Sequence, residues 1–313
     1  MKSTVTTICL AALFAAMAFS PQSPVLAPTY VGSETCMTTC HAGSHGDLIA
    51  EFEKSGHPYK LNVVNGAAPT YPANTSPIPI EPPAGTVWDD FAYVIGGSGW
   101  KARFVKKDGN VWTDGPDGQL NLADGSRVPY HEGEEKPYNY GCFKCHTTGA
   151  SEADDGPFNP AAGYGSFQEP GIRCEGCHGP GSDHVAGAFI GVKPPNQGDD
   201  LKLAVCQTCH NRGGVSNTIP ASGGFIRHHE QYDEWLHSPH VNAGAPGCNE
   251  CHDPHSGVKF DADAAGMGTL ISCEECHTEQ ADFNEHNGVP TCNDCHMPKA
   301  SKTAVAWNSY AAD

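Results

Sequence analysis

Apolar residues in this chain come in short runs, and the runs change character along its length. The first, Val5 to Phe19, is apolar and rich in small residues, follows Lys2, and gives way to a polar, Pro-rich stretch. It falls short of the ~20 residues that cross a bilayer comfortably. The N-terminus therefore predicts a secretory signal peptide over 1–27, cut after Ala27, with Ala18 as a second candidate. LIAEFEK (48–54) and EQYDEWL (230–236) carry helix-spaced apolar positions. TVWDDFAYVIGG (86–97) and WKARFVKKDGNVWT (100–113) are instead β-branched and aromatic, with turn signals at Gly96-Gly97 and Asp108-Gly109, and predict a small antiparallel unit. Before them lies APTYPANTSPIPIEPPAG (68–85), which should be extended. Beyond residue 139 the apolar runs shorten further, and helices are expected only around 182–190, 200–211, 226–237 and 273–286.

Composition changes this picture in one respect. Only 38% of residues are hydrophobic, and there are 36 glycines and 25 prolines in 313 residues, so an aliphatic core would be thin. Something other than side chains is expected to fill the interior. The net charge of −18 argues against nucleic acid as a partner. No later run is long enough for a membrane span.

The cysteines supply the missing interior. Of 15, all but Cys9 fall in close pairs followed at once by histidine. Six pairs are CxxCH: Cys142/Cys145/His146, Cys174/Cys177/His178, Cys206/Cys209/His210, Cys248/Cys251/His252, Cys273/Cys276/His277 and Cys292/Cys295/His296. The seventh, CMTTCH, has one residue more: Cys36, Cys40, His41. CxxCH is the signature of c-type haem attachment, in which two thiols add to the two vinyl groups on one side of a porphyrin and the next imidazole lies under the iron. Zinc ribbons and disulfides also use close cysteine pairs. Neither requires the histidines. With 17 His in 313 residues, seven coincidences in seven pairs have a chance on the order of one in a billion. Seven covalently bound c-type haems are expected, with His41, His146, His178, His210, His252, His277 and His296 as proximal ligands.

The other face of each iron is a question of supply. Met37 and Met297 sit within or beside a motif, which leaves Met267 as the free methionine after the signal segment. Ten histidines lie outside the motifs, so bis-histidine ligation is expected, and low potentials with it, since methionine ligation raises them. The candidates are His57, His131, His184, His240, His255, His286 and one of the pair His228/His229, with His45 and His237 as surplus. FEKSGH (52–57) and WLHSPH (235–240) share an aromatic-x-x-Ser-x-His pattern after a helical run, which predicts equivalent places for His57 and His240. Pro254 in CHDPH is expected to aim His255 at a neighbouring haem.

The expected fold is a mainly irregular and α multihaem core, with short helices wrapping stacked haems, plus the small antiparallel β insert. The expected divisions are the signal peptide 1–27, a first haem segment 28–60, a Pro-rich and β-rich insert 61–138, and a haem-wrapping domain 139–313 carrying the other six motifs. The insert's Trp and Tyr residues are expected to shield the first haem or to pack on the second.

GIRCEGCHGPGSDH (171–184), YVGSETCMTTCH (30–41) with the following SGHPYK, and HNGVPTCNDCHMP (286–298) resemble bacterial multihaem cytochromes of the c554-like type, tetrahaem electron carriers linked to hydroxylamine oxidation. In that group the His of CHGPGSxH and the His of SxH are distal ligands, which implies those roles for His184, His57 and His240. YVIGGSGWKARFV resembles a segment of extracellular multihaem cytochromes, some of which polymerise into conducting filaments. The chain departs from the tetrahaem pattern in carrying seven motifs and one CxxxCH. The resemblance covers much of the chain after the signal segment, in patches.

Together these readings give an exported periplasmic or cell-surface electron carrier. Its partners would be redox proteins or extracellular electron acceptors, with self-association into a filament permitted by surplus histidine. The competing expectation is a multihaem reductase acting on nitrite, hydroxylamine or a sulfur oxyanion through one open iron. No catalytic residue is assigned, because the distal histidines outnumber the irons. Intact mass of the mature protein is expected to correspond to seven haems and one signal cleavage; a shortfall of one haem would point first at CMTTCH.

Overall fold

The computed structural model describes residues 27–73, 76, 78–153, 165–188, 191–196, 203–216, 230–244, 247–256, 270–271 and 273–279. Residues 1–26 of the expected signal peptide, the last motif (Cys292, Cys295, His296), His228, His229 and His286 lie outside the described residues.

The β-branched and aromatic runs form a five-stranded antiparallel sheet in simple sequence order. Its strands are β1 (Leu61–Val63), β2 (Phe91–Gly96), β3 (Lys101–Lys106), β4 (Gln119–Asn121) and β5 (Arg127–Val128). The register sets Leu61 opposite Ile95, Ile95 opposite Arg103 and Arg103 opposite Gln119, so these four share one face. Val94, Ala102, Phe104 and Leu120 occupy the other face and are buried with Phe91, Leu122 and Trp112. The Pro-rich segment covers that second face through Tyr71, Ile78 and Ile80.

The first face looks toward the Cys142 motif. Leu61, Val105 and Val111 are buried there with Tyr138 and Phe143, and Tyr93, Ile95, Tyr130 and Cys142 pack around them. Tyr93, Tyr130 and Tyr138 of the insert therefore pack at the second motif, while Tyr71, Trp88 and Trp112 belong to the opposite face. A second, two-strand ladder, β6 (Thr147–Thr148) with β7 (Glu169–Pro170), continues from that motif toward the third.

The helices are short. They are α1 (Gly46–Lys54), α2 (Tyr140–Phe143), α3 (Cys174–His178), α4 (Ser182–Gly187), α5 (Leu203–Gln207), α6 (Gln231–His237), α7 (Pro239–Asn242), α8 (Cys248–Cys251) and α9 (Cys273–Cys276). Five of these overlap a CxxCH motif and last about one turn. Among the described residues α4, α5 and α9 are shorter than the sequence pattern suggests, and a motif helix needs only about one turn to set its cysteines and histidine. Among the described residues no helix is long and apolar enough to cross a membrane.

Phe104 is fully buried in the sheet's aromatic cluster, 5.3 Å from the Phe91 ring. Phe104→Ala is expected to cost about 3–5 kcal/mol, read as a fall in the urea midpoint of the sheet's far-ultraviolet signal. The haem count by mass should not change.

Candidate haem-binding sites

Five of the described motifs are each closed by one local hydrogen bond from the histidine N–H. The histidine N–H donates to the carbonyl of the first cysteine at 3.0 Å for His210–Cys206, 2.8 Å for His252–Cys248 and 2.9 Å for His277–Cys273, four residues apart in every case. CMTTCH makes the same bond across five residues: His41 N–H reaches Cys36 O at 2.8 Å, and Thr35–Cys40 form a π-helical turn. The extra residue is absorbed as a widened turn. The second motif differs: His146 N–H donates to Phe143 O at 2.9 Å.

Motifs far apart in sequence are tied by two carboxylates, one buried and one half-buried. Glu175, inside the third motif and only 4% exposed, accepts the N–H groups of Val31 (3.0 Å), Gly32 (2.8 Å) and Gly181 (2.7 Å). Glu169 accepts the Ser33 N–H at 3.0 Å and its hydroxyl at 2.8 Å. These bonds lay the first motif against the third, and the Cys36 and Cys174 side chains lie together. Cys145 pairs in the same way with Cys209, and Cys206 with Cys248. The cysteine edges of motifs one and three, two and four, and four and five are thus neighbours. Burial pushes the Cys177 thiol up to about 12, with Cys206 and Cys209 nearby adding to it.

Two consecutive amides join the second motif to a spare histidine. Gly171 N–H donates to His146 O at 3.0 Å and Ile172 N–H to His57 O at 2.9 Å. Gly171 has a φ of +78°, and a Cβ there would lie 2.0 Å from the Pro58 carbonyl oxygen. Only glycine fits.

Histidines outside the motifs lie opposite those within them. His184 faces His41 with ring centroids 6.1 Å apart and planes within 5°. His255 faces His178 at 6.1 Å and 15°. His57 stands against His210 at 6.4 Å and 83°, and His240 against His277 at 5.9 Å and 69°. The equivalence expected for His57 and His240 is visible in the backbone. α1 and α6 both end on an extended serine, Ser55 or Ser238, whose N–H returns to the aromatic carbonyl of Phe52 or Trp235.

In four of these rings Nδ1 is engaged. Nδ1 of His178 lies 2.8 Å from the Asn196 carbonyl, that of His184 2.6 Å from the Val192 carbonyl, that of His210 3.1 Å from Gln231 Oε1 and that of His255 3.2 Å from Asp253 Oδ1. Asp233, fully buried on α6, accepts the Arg212 N–H at 2.6 Å and also the Gly214 N–H, and so holds the loop after the fourth motif. Such contacts fix the tautomer and leave Nε2 as the free lone pair.

The remaining histidines are placed differently. His146 stacks on Tyr138 at 6.2 Å, and the tyrosine hydroxyl lies 3.1 Å from Nδ1. Burial and three nearby cations hold His146 down to about 3; burial, Lys60 and neighbouring imidazoles do the same for His57, against the pull of a hydrogen bond to the Pro254 backbone. Both rings are neutral, the form that can ligate a metal. Burial also lowers His252. His131 has a φ of 49° and lies against Tyr130 and Glu134; among the described residues no motif histidine packs on its ring. His45 sits beside His41 with Nδ1 atoms 3.1 Å apart, and His237 Nδ1 lies 2.7 Å from the Asp233 carbonyl.

An imidazole–metal bond is about 2 Å long, so two imidazoles on opposite sides of one iron have ring centroids roughly 6 Å apart. The four facing pairs fit that spacing. Sequence reasoning named all eight of these histidines as candidates but not the pairing, and it missed Glu175, Glu169, Gly171 and Asp233, which hold the segments around them. Glu175 was legible only as a variable position inside CxxCH.

Comparison with known proteins agrees with the motifs and fold. Residues 234–297 match the family described as cytochrome c7 and related cytochrome c. The chain is 24% identical over 243 residues to the C-type polyheme cytochrome OmcC of Geobacter sulfurreducens, covering 70% of this chain and 27% of that protein. It spans about a quarter of the length of that curated relative. Among solved structures it is similar to the outer cell wall cytochrome OcwA (TM-score 0.50, 21% identity, 77% of this chain and 59% of that one). It is also similar to the octaheme sulfite reductase MccA of Wolinella succinogenes (TM-score 0.49, 16% identity, 85% and 53%). In its motifs and in its fold the chain is similar to multihaem c-type cytochromes.

Replacing Glu175 with Ala strands three amides, and the expected cost is about 3 kcal/mol. Thermal unfolding of the holoprotein should show it. Gly171→Ala is expected to be at least as damaging, whereas Glu134→Ala, at an exposed carboxylate beside His131, should stay within about 0.5 kcal/mol.

Proposed function

We propose that this chain is an exported heptahaem electron-transfer protein whose irons are low in potential and ligated by two histidines. The observation that carries the reading is the set of four facing pairs, each joining a motif histidine to one outside the motifs at 5.9–6.4 Å. A bound c-type haem supplies one-electron exchange at its iron. The protein's part is to hold both imidazoles neutral, to fix their planes through Nδ1, and to exclude substrate from both axial positions.

In this reading His41/His184, His178/His255, His210/His57 and His277/His240 hold four irons. The proximal ligands His146, His252 and His296 draw on His131, His228, His229 and His286. CMTTCH carries haem like the other motifs, because its π-turn keeps His41 bonded to Cys36. Neighbouring cysteine edges bring successive haems close, which favours fast electron exchange along the chain. Residues 1–27 act as the export signal, 28–60 as the first haem segment, 61–138 as the insert and 139–313 as the haem-wrapping domain. The name of the outer cell wall relative fits a destination beyond the cytoplasm, facing redox proteins or extracellular acceptors. His45 and His237 are the histidines available to a neighbouring copy's iron should the chain assemble into a filament.

Electron paramagnetic resonance of the oxidised holoprotein tests this directly. Low-spin signals are expected, and His184→Ala or His255→Ala should each convert one haem to high spin with the haem count by mass unchanged. A substoichiometric change, or a high-spin iron already present in the parent protein, would overturn bis-histidine closure and favour a reductase.

A further inference from the structure

The chain is strongly acidic, with 36 Asp and Glu against 18 Lys and Arg, yet among the described residues Lys101 and Arg103 lie on the wall of the second motif, with Lys60 between that wall and His57. The pleat of β3 places Lys101, Arg103 and Val105 on the same face, and Val105 is buried with Tyr138 and Phe143 of the second motif's surroundings. The Arg103 guanidinium lies 3.7 Å over the Tyr130 ring, which packs on that cluster. Lys60 enters from the strand alongside. Its carbonyl accepts the Gly96 N–H at 3.0 Å, and the Lys101 carbonyl accepts the next amide, Gly97, at 2.8 Å. Both lysines therefore flank one end of the β2–β3 hairpin, with the Lys60 ammonium 5.5 Å from the Trp100 ring centroid. Tyr138, fully buried, connects this wall to the ring of His146.

Two of these cations have neutral neighbours on this side. Arg103 donates to Gln119 Oε1 through Nε at 2.8 Å and Nη2 at 2.5 Å, and Lys60 lies over an indole. Amide and indole solvate a cation without cancelling its charge. Cys142 packs against the same buried cluster as Tyr130, the ring that the Arg103 guanidinium covers.

We propose that Lys60, Lys101 and Arg103 form a cationic wall that makes the haem at Cys142, Cys145 and His146 the highest-potential iron of the chain, where electrons collect. The inference rests on haem binding at that motif. Its physical basis is that reduction removes one positive charge from iron, so fixed cations nearby, poorly screened by solvent, favour the reduced state. The three residues are positioning residues: they tune the iron without ligating it.

Redox potentiometry of the holoprotein, with haem number fixed by intact mass, tests the assignment. The wave of this site is the one that rises in H146M, since methionine ligation raises potential. K60Q, K101Q and R103Q should each move that wave to lower potential, and K60Q combined with R103Q should move it further. K60R and R103K, which keep the charge, should leave it in place. A wave that stays put in fully haem-loaded neutral variants overturns the proposal. So does loss of this one haem from the neutral variants, which would make the cations anchors for the cofactor. If the parent protein's mass shows no haem at this motif, the haem reading of the site falls, and the mass alone reveals it.

Discussion

The bond from a motif histidine's N–H to the carbonyl of its first cysteine, made by His41, His210, His252 and His277, is the constraint on which the rest depends. It closes one turn of helix and sets two thiols and one imidazole on the same side of the chain. A single turn is a poor nucleus for a helix in water, so these turns need support from elsewhere. CMTTCH shows what the constraint requires: one residue is added, the turn widens to a π-turn, and the bond is kept at 2.8 Å.

Support comes from residues distant in sequence. The spare histidine opposite His41 follows the third motif, the one opposite His178 follows the fifth, and the one opposite His210 follows the first. This crossed arrangement replaces the large aliphatic core that the composition denies the chain. Glu175 and Glu169 hold the first motif on the third, and the amides of Gly171 and Ile172 hold the second motif next to His57. Removing any one tie loosens two sites, because each tie spans a pair.

The β insert is the part of the described protein with an ordinary side-chain core. One face is filled by Phe91, Val94, Phe104 and Leu120, and the other is turned to the second motif. That second use explains why β3 carries Lys101 and Arg103 at alternate positions in a chain of net charge −18. A sheet face offers a rigid, regularly spaced platform for charge, which a one-turn helix does not.

By itself the sequence determined the chemistry. Adjacent cysteine pairs and histidines specify covalent haem attachment locally, because thioether spacing and the proximal imidazole are set within five or six residues. It also made the sheet legible, since alternating β-branched and aromatic residues bounded by Gly96-Gly97 and Asp108-Gly109 admit little else. The kinship of FEKSGH and WLHSPH was readable because both end a helix on serine. Only the tertiary structure decided which histidine faces which, since ring separations such as the 6.1 Å between His41 and His184 depend on contacts some 140 residues apart. The same holds for Glu175, whose meaning lies in the amides of Val31 and Gly32, brought to it by the fold.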